Sequence, residues 1–116
     1  MKRDYRDYLE DILTAIDETS KFTDGISYEA FTQDKMRVNA VIRSLEVLGE
    51  AAKKIPDDLR NQADEIPWKY MAGMRDKLIH EYFNVDLQMV WIVVKTEIPP
   101  IRPEIESLIK QLDNDT

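Results

Sequence analysis

An all-α domain, an antiparallel bundle of four to five helices, is what three features of this 116-residue sequence predict. Apolar residues recur at three- and four-residue steps through most of the chain, the spacing of a helix face. Only three glycines and five prolines are present, which leaves little for the tight turns of a multi-stranded sheet. With 43% hydrophobic and 34% charged residues, the composition is that of a globular chain, and the length is that of one domain, residues 1–116.

The first helix is expected over about residues 3–22, where Tyr5, Tyr8, Leu9, Ile12, Leu13 and Ile16 form an apolar stripe. Arg6 and Glu10, then Asp17 and Lys21, have the spacing of ion pairs on its outer face. Thr23-Asp24-Gly25 ends it, glycine supplying a left-handed stop, and Ser27 caps a short turn through Phe31.

A second long helix is expected over about residues 34–54. Val38, Val41, Ile42, Leu45, Leu48 and Ala52 make its stripe, widened by Met36, Ala40, Val47 and Ala51. So wide an arc is buried on more than one side, as the central helix of a bundle or a dimer helix is. Gly49 in its interior costs roughly 1 kcal/mol against alanine, so a close helix–helix approach is expected there. On the polar stripe Asn39 and Arg43 are candidate cleft residues, against the plainer reading of a solvated face with Arg43 paired to Glu46.

Ile55-Pro56-Asp57-Asp58 breaks that helix, and a short turn reaches Gln62. Pro67 then suits the first position of a third long helix, with Trp68 as a packing anchor and Met71, Met74, Leu78 and Ile79 at helical spacing. That helix is expected to end near Phe83-Asn84. Asp86 caps the next, residues 87–98, with Leu87, Val90, Trp91, Val94 and Ile98 inward. Pro99, Pro100 and Pro103 force a kink. A last amphipathic helix follows, carrying Ile105, Leu108, Ile109 and Leu112.

Composition excludes several functions. The chain has no cysteine, hence no disulfide framework and no thiolate metal site. A single histidine cannot assemble the usual zinc ligand set, and no glycine-rich phosphate loop is present. No metal and no cofactor is expected. The first residues lack an apolar signal-peptide core, and the longest apolar run, Met89 to Val94, is far short of the ~20 residues of a membrane span. A cytoplasmic protein with no membrane partner is expected. The net charge of -7 argues against a general nucleic-acid coat, although Lys69, Arg75 and Lys77 stand against Asp76 alone between Pro67 and Lys77.

The chemistry-bearing stretch is Met74-Arg75-Asp76-Lys77-Leu78-Ile79-His80-Glu81-Tyr82-Phe83. It holds the one histidine, the side-chain type suited to proton transfer near neutral pH. Arginine binds phosphate oxygens through a planar, permanently charged fork. Arg75 and Tyr82 are seven residues apart and share a helical face. Asp76, four residues before His80, is placed to orient the ring or favour its charged form. Lys77 is a further candidate cleft residue. His80 itself leaves the helix about 140° from Arg75, so the two meet on one substrate only if a ligand spans that arc, the helix ends near His80, or a second copy of the segment contributes.

Arg75, His80 and Tyr82, in the pattern Arg-x4-His-x-Tyr, resemble the signature of the HEPN superfamily. The likeness extends over roughly residues 3–110. It includes Arg6-Asp7-Tyr8-Leu9-Glu10-Asp11-Ile12, the run Ala40 to Ala52, and Ile66-Pro67-Trp68 followed by Ala72-Gly73-Met74-Arg75-Asp76. The chain as a whole resembles HepT-type toxins, ribonuclease partners of minimal nucleotidyltransferase antitoxins. The resemblance implies a HEPN-like helical fold in a two-fold homodimer and a metal-independent endoribonuclease acting on RNA. It implies that Arg75 and His80 are the catalytic residues of a composite dimer site, with Asp76 and Tyr82 supporting them. It further implies neutralisation by the antitoxin through adenylylation of Tyr82. One histidine cannot easily act as base and acid at once, and a dimer supplies a second. A non-catalytic HEPN module that binds nucleotide or RNA, or a helical protein-interaction adaptor, is the alternative.

Overall fold

The computed structural model describes residues 4–81 and 84–114. Every regular element among them is helical: α1 (Tyr5–Thr23), α2 (Tyr28–Gln33), α3 (Lys35–Lys53), α4 (Asp57–Arg60) with a 3-10 turn (Asn61–Ala63), α5 (Trp68–His80), α6 (Leu87–Ile92) running into a π turn (Val93–Glu97), and α7 (Ile101–Asn114). No described helix is long and apolar enough to cross a membrane.

Side-chain caps start four of these helices. Carboxylate or hydroxyl oxygens of Asp4, Ser27, Asp34 and Asp86 accept from backbone N–H groups of Arg6, Ala30, Arg37 and Met89 at 3.1–3.2 Å, satisfying donors that a helix N-terminus otherwise leaves orphaned. After α1 the chain turns at Gly25, whose φ of 73° is the left-handed conformation expected of it.

α3 is the central helix, as its wide apolar arc requires: α1 covers one side and α5 another. Arg37 Nη1 donates to the Phe22 carbonyl oxygen at 2.7 Å, and Ser44 Oγ bonds the Glu18 carboxylate at 3.2 Å. Partners thus ascend along α3 as they descend along α1, so the two are antiparallel. Arg6–Asp113 at 2.9 Å and Arg102–Asp17 at 2.7 Å show the same for α1 and α7. Leu9, Ile12, Val41, Leu45, Leu48, Met71, Ile105 and Leu108 are buried to 1% exposure or less, one continuous core across the four long helices.

The structure departs from the sequence expectations in several places. Two stretches read as turns are short helices. α2 buries Phe31 against Trp91, with ring centroids 5.2 Å apart. α4 buries Leu59 and aims the Arg60 guanidinium at the carbonyl oxygens of Ala52 and Ile55, both at 2.9 Å, capping the end of α3. Pro67 occupies the cap position rather than the first helical one. α5 ends at His80, earlier than Phe83-Asn84; Phe83 lies outside the described residues. The expected 87–98 helix widens after Ile92, where Ile98 N–H donates five residues back to Val93 at 3.0 Å. Asp17 pairs with Arg102 on α7, not with Lys21, and Met36 is 84% exposed rather than part of the buried arc.

Candidate active site on α5

The site is built where α3 and α5 touch. Gly49 of α3 is buried, and a Cβ added there would collide with the Cβ of Arg75 and fall 2.8 Å from the Met71 carbonyl oxygen. The missing side chain lets the two helices approach, as the sequence anticipated. It also seats the Arg75 stem, leaving the side chain 28% exposed. On the far flank Trp68 anchors the start of α5: it is buried, and its Nε1 donates to the Ala63 carbonyl oxygen at 3.1 Å.

The Arg75 guanidinium sits between two carboxylates. Nη2 is 3.2 Å from Glu50 Oε2, and Nη1 donates to Asp76 Oδ1 at 3.0 Å. Lys53 Nζ donates to the same Asp76 oxygen at 3.1 Å, and Lys54 lies 3.8 Å from Glu50. Lys53, and after it Arg75, hold the Asp76 carboxyl below its ordinary value. The network is solvated, with Asp76 and Glu50 side chains each 45% exposed, so its charges are adjustable rather than locked.

Beside Arg75 runs an open groove of about 210 Å³ between α1, α3 and α5. Asp11, Glu46 and Glu50 line it together with Arg43 and Arg75, and Tyr8 and Ile79 are also in its walls. Arg43 is thus a groove residue, 4.0 Å from Glu46. Asn39 is exposed on α3 and is not among the residues lining the Arg75 groove. Lys77 lies on a different groove, with Tyr70, Gly73, Met74 and Met89. His80 is the last, exposed residue of α5 and lines neither. Asp76, expected to orient His80, is engaged by Lys53 and Arg75 instead. Tyr82 lies outside the described residues. Among the described residues, no group of three or more His, Cys, Asp or Glu side chains is placed to hold a metal ion.

Sequence reasoning missed Glu50 and Lys53 as partners of the motif. In the sequence Glu50 is one more member of the polar stripe that carries Arg43 and Glu46, and nothing in spacing along one helix reveals which residue of another it meets.

A small all-helical domain that presents a seated arginine and an exposed histidine from one helix has the groups needed for phosphate binding and proton transfer. Comparison with known proteins makes the assignment specific. The ribonuclease HepT-like family matches residues 12–108. The chain is 52% identical over 112 residues, 97% of each chain, to "Putative RNase MJ0125" of Methanocaldococcus jannaschii. It is 51% identical over 110 residues to "Probable ribonuclease HepT" of Thermococcus cleftensis, covering 95% of this chain and all of that one. No solved structure matches it. The chain belongs to the HepT-like ribonuclease family, which places it among RNA-cleaving enzymes.

Proposed function

We propose that the protein is a metal-independent RNA endonuclease, the toxin of a toxin–antitoxin pair, working as a homodimer with Arg75 and His80 of both copies at one groove. The observation that carries this reading is the divergence of the two residues. Arg75 is seated against α3, while His80 is the exposed last residue of α5 and is not among the described residues lining the Arg75 groove. A second copy related by a two-fold axis supplies the missing partner for each.

In the proposed cleavage the ribose 2′-oxygen forms a bond to phosphorus as the bond to the 5′-oxygen breaks. One His80 takes the 2′-hydroxyl proton, and the other gives a proton to the departing 5′-oxygen. Arg75 binds the phosphate oxygens on which charge accumulates. To do so it exchanges Glu50 or Asp76 for the substrate phosphate.

Tyr82 is the control point in this reading. A nucleotidyltransferase antitoxin attaches AMP to its oxygen, as the resemblance to HepT-type toxins implies. The added phosphate competes for Arg75 and repels RNA.

The test is cleavage of single-stranded RNA by purified wild type, Arg75→Ala and His80→Ala. Loss of an acid–base group typically costs 10²–10⁴ in rate, with helical content by circular dichroism unchanged. Undiminished cleavage by both variants would place the active site elsewhere than at Arg75 and His80, and no cleavage by wild type would leave the non-catalytic nucleotide- or RNA-binding module. A monomer by light scattering at micromolar concentration would remove the composite site. Mass spectrometry after co-expression with such a nucleotidyltransferase should find adenylate on Tyr82, and none in Tyr82→Phe.

A further inference from the structure

The flank of α5 opposite Arg75 holds a groove that proton transfer and phosphate binding do not use. It is about 290 Å³ in volume and is lined by Tyr70, Gly73, Met74, Lys77 and Met89. On an ideal helix Gly73, Lys77 and His80 fall within about 60° of one another, whereas Arg75 stands about 160° from Gly73. The groove therefore continues the face from which His80 projects.

Its chemistry differs from that of the Arg75 groove. There, three carboxylates line the walls with two guanidiniums, a poor bed for a polyanion in a chain of net charge -7. Here Lys77 is the one charged residue among the described residues of the lining. The rest is an aromatic ring, two thioethers and a bare glycine. Tyr70 is 44% exposed, and burial first, and then the charge of Glu97, raises the pKa of its hydroxyl. Among the described residues, nothing lies within 4 Å of the place a Gly73 Cβ would occupy, so the floor is open to a flat group. Sulfur and aromatic surfaces suit π-faces, and a single lysine at the edge suits a phosphate.

We propose that this groove is a nucleobase subsite for the RNA substrate: a base flanking the scissile phosphate stacks on Tyr70 over Gly73, and Lys77 holds the adjoining phosphate. The proposal rests on the reading that His80 acts on RNA, since it is the shared face with His80 that commits the groove to a base. Stacking of this kind is sequence-tolerant, because every base has a π-face. The subsite therefore sets affinity and register on the strand more than sequence.

The experiment measures short single-stranded RNA by fluorescence anisotropy and by cleavage kinetics, with wild type, Tyr70→Ala, Tyr70→Phe, Gly73→Leu and Lys77→Ala. Oligomeric state is followed by light scattering. Tyr70→Ala and Gly73→Leu should weaken binding about ten-fold and raise KM alike, leaving kcat within a few-fold, while Tyr70→Phe retains the wild-type values. Lys77→Ala should lower the salt dependence of binding by about one ion. If wild type cuts RNA and Gly73→Leu, which fills the groove, binds and cuts it normally, the subsite is wrong. A changed oligomeric state in Gly73→Leu would also overturn it, showing the groove covered by another copy of the chain. Should wild type bind RNA without cutting it while Gly73→Leu still weakens binding, the cleavage reading fails and the subsite stands.

Discussion

Gly49→Ala is the sharpest single probe of how the site is held. In an isolated helix the change would stabilise by about 1 kcal/mol, through lower backbone entropy in the unfolded chain. Here the new methyl would meet the Cβ of Arg75 and the Met71 carbonyl oxygen at 2.8 Å. Both belong to the rigid part of α5, not to the far end of a flexible side chain, so the helix must move. Overpacking of this kind costs typically 1–3 kcal/mol, and contact with backbone puts it at the upper end. The expected net loss is about 1–2 kcal/mol, a fall in Tm of roughly 4–8 °C in a domain of this size. A shift of α5 against α3 also displaces Arg75 from Glu50, and a misplacement of about 1 Å costs up to 10²-fold in rate. Thermal denaturation by circular dichroism and RNA cleavage are the two assays. A variant as stable as wild type, or more so, would refute the argument that Gly49 is kept for the approach of α5.

Two further outcomes follow from the charge pairs. Arg102 hydrogen bonds hold the Asp17 carboxyl below its ordinary value, so the contribution is present above the unfolded pKa of about 3.9 and is lost as pH falls through the lower folded one. Asp17→Asn should cost up to about 1 kcal/mol at pH 7, since both side chains are well exposed, and the difference from wild type should narrow as pH falls below about 3.9; denaturant midpoints at neutral and acid pH check this, and a gap that does not narrow would refute it. Glu50→Gln removes one of the two carboxylates on Arg75 and should tighten RNA binding about two- to five-fold, the worth of an exposed pair; anisotropy titrations that show weaker binding would mean that Glu50 instead positions Arg75 for the phosphate.

The helices were legible wherever burial on one face dominates. Leu9, Ile12 and Ile16 on α1, and Leu45 and Leu48 on α3, are buried as their spacing predicts. Gly49 and Trp68 were read from cost alone: a glycine inside a helix and an indole behind a proline each need a packing reason, and each has one. What spacing could not supply was the partner across helices. Asp17 satisfies the i,i+4 rule with Lys21, yet Arg102 reaches it with two hydrogen bonds from α7, and a bidentate guanidinium outcompetes a flexible ammonium. Asp76 has the right spacing for His80 but is taken by Lys53 from α3 and by its neighbour Arg75. Met36 stands about 180° around α3 from Leu45, on the side away from the buried stripe, and is exposed.

The five-residue interval between Arg75 and His80 decides how the site is used. At three or four residues the two side chains would stack on one face and could share a phosphate within a single chain. At five they part by about 140°, one seated against α3 and the other at the exposed end of α5. The separation is no defect if α5 lies beside a two-fold axis, because an isologous contact returns residue for residue: whatever Arg75 of one copy faces, the other Arg75 faces too. In the proposed dimer this supplies both acid and base from a chain with one histidine. In the lone chain Glu50 and Asp76 already neutralise Arg75, so an unpaired copy offers RNA a net-negative groove. In the proposed dimer the second copy brings a further Arg75 and His80 to the same phosphate, and cleavage in this reading requires assembly for that reason.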